Sequence, residues 1–359
     1  MRNQVKHLPQ TKPDRNLFAR LGFNLMTILI VALSPILPHP TAAMTVLPEG
    51  ASLPAMSQIS LKSVRRVLVV APHPDDETIA PGGLIQEALA NGSQVKVVIV
   101  TNGDGQFMAP AIFGMEDALT PAGYVSMGER RQAESLKALK QLGVPAENII
   151  FLGYPDRGIE PMLNSNWTEA QSYTAPFTRM SQSPYSYTYS PETIYCGISL
   201  FTDLETILSN FQPDLVVLPH PADQHADHRA TSIFTSRAVA ALHANNAAFQ
   251  PQLWAYLVHY NNYPASSTSN PSEGFLPPSD LRGGNNSWGN LNLTPDQESN
   301  KNTAIHDYPT QTFLLGSFLS GFSTTNEIFM LLPLQDSAAE VAVTTGSETL
   351  TFNSAGMLP

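Results

Sequence analysis

The sequence predicts an α/β protein, Rossmann-like, with a mostly parallel sheet, helices on both faces and long loops over the C-terminal edge of the strands. Three observations predict it. Five short apolar runs alternate with helical patterns between residues 64 and 258, the order of a parallel sheet covered by helices. Each run empties at its carboxyl end into His, Asp or Asn, and in an open α/β sheet those ends share one edge and one crevice. Two long segments without periodicity, 157–197 and 261–289, also leave from strand ends. Loops of that length are uncommon unless functional or disordered.

The chain opens on a leader. Arg2, Lys6, Lys12, Arg15 and Arg20 stand with a single acid, Asp14, before an almost purely apolar run from Leu25 to Leu33. Pro35 and Pro38 follow, then Thr41-Ala42-Ala43. Basic, apolar and small residues in that order form a signal peptide over 1–43, or alternatively an N-terminal membrane anchor. A spanning helix needs about 20 apolar residues, and Asn24 and Pro35 interrupt this stretch. Cleavage near Ala43 yields an exported chain, periplasmic or extracellular; an uncleaved leader yields one anchored to the membrane and facing outward. Residues 44–63 read as a linker.

The α/β pattern fills 64–333. Strands are predicted over 64–71, 94–101, 148–153, 214–218 and 253–258. Helices are predicted over 78–90, 129–142, 204–211 and 229–244, from apolar positions recurring on one face. In the segment 157–197, Trp167, Tyr173, Tyr185, Tyr187, Tyr189 and Tyr195 suit either stacking on a sugar or pinning the loop to the sheet. Residues 334–359 are Ser/Thr-rich, with Val341–Val343 as an edge strand or part of a tail.

Composition excludes several classes. A net charge of −11 with few Lys and Arg argues against nucleic acid as a partner. The single cysteine, Cys196, excludes an intramolecular disulfide and a Cys-based zinc site. Any metal therefore takes His and carboxylate ligands.

Two clusters offer such ligands. The first strand ends in Pro72-His73-Pro74-Asp75-Asp76-Glu77. His73 and Asp76 are three apart across a Pro-containing turn and can converge on a borderline metal. Asp75 between them is a candidate general base. The same stretch also reads as a helix cap, with Asp75 or Asp76 at the N-cap. The fourth strand ends in Asp223-Gln224-His225-Ala226-Asp227-His228. His225 and His228, three apart at a helix start, share a face. Either one joined to His73 and Asp76 makes a His₂–carboxylate set with one position open, the pattern of a catalytic metal. The residues alone do not choose between them.

Together the clusters resemble those of the PIG-L/LmbE family of metal-dependent de-N-acetylases. These enzymes remove acetyl from N-acetylglucosaminyl groups on phosphatidylinositol, on mycothiol and bacillithiol precursors and on related sugars. The resemblance covers about residues 64–260 and, more weakly, 301–332. Gly128-Glu129-Arg130-Arg131-Gln132-Ala133-Glu134 is similar to the family's Arg-x-x-Glu helix, and Phe151-Leu152-Gly153-Tyr154-Pro155-Asp156 to its Leu-Gly-x-x-Asp strand end. Lys301, Tyr308 and Gln311 resemble its C-terminal segment, with Thr310 where serine is usual. Pro72 stands where the family often has alanine, ahead of the ligands. The two long segments are where small family members are shortest, which leaves the acceptor open.

The resemblance implies a role for each residue. His73, Asp76 and His228 bind Zn²⁺, or Fe²⁺ in its place. Asp75 is the general base. His225, protonated, holds the oxyanion or protonates the leaving amine, and Asp227 orients one of the histidines. Arg131 and Asp156 contact the sugar or stabilise the site from beneath. Read only as a helix residue, Arg131 is an exposed charge bridged to Glu134. The implied partner is a small molecule or glycan bearing an N-acetyl group; membrane contact comes only through an uncleaved leader. The alternatives are an exported metallo-amidase acting on non-sugar amides, and an inactive carbohydrate-binding relative.

Overall fold

The run Arg-Val-Leu-Val-Val-Ala that precedes the first cluster lies inside the main sheet. Val67, Leu68, Val69, Val70 and Ala71 are all fully buried, as a strand covered on both faces must be. The structure is a computed structural model, and it describes residues 56–115, 117–264, 274–283, 286–334, 340–345 and 348–353. The leader over 1–43, its cleavage point near Ala43 and positions 44–55 of the linker lie outside the described residues. Among the described residues, no helix is long and apolar enough to cross a membrane.

In chain order the first half contains β1 (Ser57–Gln58), β2 (Arg66–Ala71), α1 (Asp76–Ile79), α2 (Gly82–Ala90), β3 (Gln94–Thr101), α3 (Ala109–Ile112), α4 (Pro121–Gln141), β4 (Ile149–Tyr154) and α5 (Ile159–Asn164). The second half contains α6 (Gly197–Phe211), β5 (Leu215–Pro219), α7 (Ala226–Asn245), β6 (Gln252–Tyr256), β7 (Ser287–Asn292), α8 (Pro295–Ile305), α9 (Pro309–Ser320), β8 (Asn326–Leu332), β9 (Glu340–Thr345) and β10 (Glu348–Asn353).

The main sheet runs β1-β7-β8-β6-β5-β2-β3-β4. The five strands from β6 to β4 pair in parallel and are the five predicted. Counted along the chain, their order is 3-2-1-4-5, with the reversal between β2 and β5. That reversal is the topological switch point, where open α/β sheets place their ligands. Both sequence clusters follow immediately on these two strands. The chain steps one way through β2, β3 and β4, and the other way through β5 and β6. Right-handed crossovers therefore put α2 and α4 on one face and α6 and α7 on the other. The packing agrees: α2 and α4 contact α8, while α6 contacts α7.

The other edge was not evident in the sequence. β8 pairs antiparallel with both β6 and β7, and β1 adds in parallel to β7. An apolar run such as Ile328–Leu332 does not declare its pairing direction, which only its neighbours decide. The predicted C-terminal strand exists as β9, but it pairs with β10 in a separate two-stranded ribbon and is no edge of the main sheet.

In the segment 157–197 the aromatic rings mostly pin the loop. Trp167 stacks on Phe234 with ring centroids 5.8 Å apart. Tyr185 and Tyr195 are buried, and the Tyr195 hydroxyl donates to the Gly153 carbonyl at 3.1 Å. These three rings are therefore not available to stack on a sugar. Tyr187 and Tyr189 remain exposed. In the second long segment, 265–273 and 284–285 lie outside the described residues.

Candidate metal centre

β2 delivers the first cluster abruptly. The Pro72 carbonyl accepts from Thr101 N–H in β3 at 2.9 Å, the last tie to the sheet before His73. Asp75 then takes φ 125°, a region that costs a non-glycine residue about 1–3 kcal/mol. It precedes the short α1, yet its side chain caps nothing. The capping alternative therefore fails for Asp75. Asp76 turns back instead, its Oδ2 accepting from His73 N–H at 3.0 Å.

β5 delivers the second cluster. His225 occupies the N-cap of α7 in extended conformation, while His228 lies in its first turn. The two imidazoles consequently point differently, although they are three residues apart. His228 Nε2 lies 3.2 Å from His73 Nδ1 and 3.2 Å from Asp76 Oδ2, and His73 Nδ1 lies 3.3 Å from the same oxygen.

Two ring nitrogens and a carboxylate oxygen thus form a nearly equilateral triangle. Ligands bound tetrahedrally at roughly 2.0–2.1 Å stand about 3.3–3.4 Å apart, so these donors fit a zinc-sized ion. The far side of each imidazole fits as well. His73 Nε2 faces Asp227 Oδ2 at 3.3 Å and Asp156 Oδ1 at 3.4 Å. His228 Nδ1 faces Asp223 Oδ2 at 3.3 Å, although its N–H is not aimed well enough to count as a hydrogen bond. A carboxylate behind a histidine fixes the tautomer that turns the other nitrogen's lone pair to a metal. His225 also brings a ring nitrogen within 4.8 Å of those of His73 and His228, but the tighter triangle uses Asp76.

The electrostatics follow from these contacts. Burial opposes charge on His73, but Asp156, Asp227 and Asp76 raise it well above the ordinary imidazole range. His228 rises to about 10, because Asp76 and Asp223 outweigh its burial. The negative field that holds those protons is one a divalent cation satisfies equally. Asp75 is pushed well above the carboxylate range by burial and by repulsion from Asp76 and Glu77. Asp156 is held low, with His73 overcoming its burial. His225 falls to about 3 through burial and the neighbouring His73, His228 and His259. Burial and these neighbours thus oppose the protonated form of His225 that the resemblance implies.

The remaining expected residues are also here. Asp227 is fully buried and accepts from Arg157 N–H at 2.6 Å and Ile159 N–H at 3.1 Å, which ties the loop after β4 to His73. Asp156 Oδ2 accepts from Gly105 N–H at 2.9 Å. Arg131 is buried, not an exposed helix charge, and its Nη1 donates to the Gly103 carbonyl. The pair with Glu134 belongs to Arg130, at 3.5 Å. Gly103 sits at φ +65°, and a Cβ there would stand 2.5 Å from Arg131 Nη1.

Two site residues were given no role by the sequence. Asp223 Oδ1 accepts from His225 N–H at 2.9 Å, and its Oδ2 accepts from Val258 and His259 N–H at 3.0 and 2.9 Å. It joins the β5 loop to the end of β6 while backing His228. Its position two residues before His225 was the available signal. His259 packs against His228 and stacks on Phe318 with centroids 5.3 Å apart. His220, by contrast, stacks on Trp288 in the interior.

Comparison with known proteins bears on this geometry. Residues 68–239 match the family model PIG-L, GlcNAc-PI de-N-acetylase. The 1D-myo-inositol 2-acetamido-2-deoxy-alpha-D-glucopyranoside deacetylase of Mycobacterium sp. (strain KMS) is 30% identical over 194 residues, 53% of this chain and 54% of that protein. The Streptomyces avermitilis protein of the same name is 39% identical over 94 residues, 26% of this chain and 30% of that one. With the first of these, the chain spans about half the length of the curated relative it matches. Among solved structures, N,N'-diacetylchitobiose deacetylase from Pyrococcus horikoshii is 21% identical with a TM-score of 0.46, covering 76% of this chain and 85% of that one.

Proposed function

Residues 68–239 are a domain of the PIG-L family, and from that premise we propose that the protein is a metal-dependent hydrolase removing acetyl from an N-acetylglucosamine-type sugar, glycan or glycolipid. The observation that carries the proposal is the triangle of His73 Nδ1, Asp76 Oδ2 and His228 Nε2, with sides of 3.2–3.3 Å and carboxylates behind both histidines.

A divalent ion held by these three residues supplies Lewis acidity toward the acetamide carbonyl and acidifies water. Asp75 takes the proton from water as its oxygen adds to the carbonyl carbon. His225 donates an N–H toward the oxygen that gains charge. The proton taken by Asp75 passes to the leaving nitrogen as the C–N bond breaks, giving acetate and a free amine. Asp227 and Asp223 keep His73 and His228 oriented. Arg131 and Asp156 contact the sugar or support the site from beneath, and the half-buried Tyr173 lies in the field of Asp227 and Asp156.

The mature chain, on this reading, begins near Met44 and works outside the cytoplasm, where glycans and glycolipids are at hand. The test is elemental analysis with acetate release from N-acetylglucosaminides. Wild type carries about one divalent metal per chain. Asp75→Asn keeps the metal and loses roughly 10²–10⁴-fold in kcat, while His228→Ala loses the metal. Full activity in chelator, or loss of metal in Asp75→Asn with retention in His228→Ala, refutes the assignment.

A further inference from the structure

Asp75 is held at φ 125° from a part of the chain far away in sequence. The angle is set by the peptide that joins Pro74 to Asp75, and both poles of that peptide are bound. Its N–H donates to Glu77 Oε2 at 3.0 Å. Its carbonyl accepts from the side-chain amide of Gln311. Glu77 is itself held, because its Oε1 accepts from the Tyr308 hydroxyl at 2.7 Å. Thr78 Oγ1 lies 2.9 Å from the same hydroxyl. Glu77, Thr78 and Tyr308 are fully buried.

The N-cap and first turn of α9, which carry Tyr308 and Gln311, are fixed in turn to α4. Thr310 donates to Glu134 through Oγ1 at 2.5 Å and through its amide at 3.3 Å. The metal triangle does not depend on this support, since Asp76 and His73 are bound to one another locally and to His228.

We infer that Tyr308 and Gln311 are positioning residues that orient the Pro74–Asp75 peptide and so aim the Asp75 carboxylate at the attacking water. The inference rests on the proposed role of Asp75 as base. A neighbour that only packs would, when altered, lower stability without separating kcat from metal content. A clamp on this single peptide misdirects the base and leaves the ligands in place.

The test uses the full-length protein carrying Tyr308→Phe, which removes one hydroxyl, and Gln311→Met, which removes the amide at similar volume. The clamp predicts kcat lower by roughly 10–10²-fold in each, the effect of an ångström-scale misplacement, with KM within about twofold. Metal per chain stays at the wild-type value. It also predicts faster hydrogen exchange at the Asp75 amide in Tyr308→Phe, a readout independent of turnover. Wild-type kcat and wild-type exchange in both variants would overturn it, as would a kcat loss that follows metal loss. If wild type releases no acetate from any N-acetylglucosaminide, the proposed function fails, and exchange at Asp75 still decides whether the clamp exists.

Discussion

Lys301 and Glu327 form an ion pair with no access to solvent, at 2.7 Å between Nζ and Oε1. Glu327 does more than pair. Its Oε1 also accepts from Gly83 N–H at 2.6 Å, and its Oε2 from Leu84 N–H at 2.8 Å. It thus satisfies two amides at the start of α2, where the helix leaves donors unpaired and carries partial positive charge. Glu327→Gln strands a buried ammonium and turns an NH₂ toward a donor. Removing one partner of a buried pair costs roughly 3–5 kcal/mol. Lys301→Met fits the same volume, and the carboxylate keeps its two amides, so its cost falls at the lower end, about 3 kcal/mol. The double variant buries no charge and loses chiefly part of the cap, about 1–2 kcal/mol. It is therefore more stable than Glu327→Gln alone. Urea and thermal unfolding of the four proteins measure the cycle. At roughly 2 °C per kcal/mol for a domain of this size, Glu327→Gln lowers Tm by roughly 6–10 °C. Losses below about 1 kcal/mol in both single variants, or a double variant equal to their sum, would refute the reasoning.

A second prediction concerns pH. Burial, with Asp156 adding to it, pushes Asp104 up to about 6 from an ordinary 3.8. A carboxyl raised on folding contributes stability that is full below pH 4 and lost as pH climbs through 6. Asp104→Asn retains an acceptor for Asp156 N–H and can donate to the Tyr185 oxygen, the two present partners. Its stability relative to wild type should therefore rise between pH 4 and 8, by about 3 kcal/mol; a flat difference across that range contradicts the burial argument. A third concerns export: N-terminal sequencing of protein recovered outside the cytoplasm should begin near Met44, and an intact Met1 on soluble cytoplasmic protein rules this out.

The five parallel strands and both halves of the site were legible in the chain itself. Val67–Ala71 and Leu215–Leu218 are unbroken apolar runs because both faces of a central strand are covered. The polar residues that follow them mark the carboxyl edge, which a parallel sheet gathers into one place. Strand order needs more than this. That β2 and β5 are neighbours, which brings His73 to within 3.2 Å of His228, is a fact of pairing between segments some 150 residues apart in sequence.

Tertiary structure alone sets the finer geometry. Residue spacing leaves His225 and His228 equivalent, but α7 begins at Ala226, so only His228 has the helical backbone that turns its ring to Asp76. Arg130 and Arg131 are adjacent in sequence, yet a helix turns about 100° per residue; one pairs with Glu134 and the other is buried against Gly103. The backbone of Asp75 is the clearest case. Local preference disfavours its φ, and the groups that hold it come from Glu77 beside it and from Tyr308 and Gln311 far along the chain. Local periodicity records which face of an element is buried. It carries no record of which distant side chain completes a buried hydrogen bond, because that partner is chosen by packing in three dimensions.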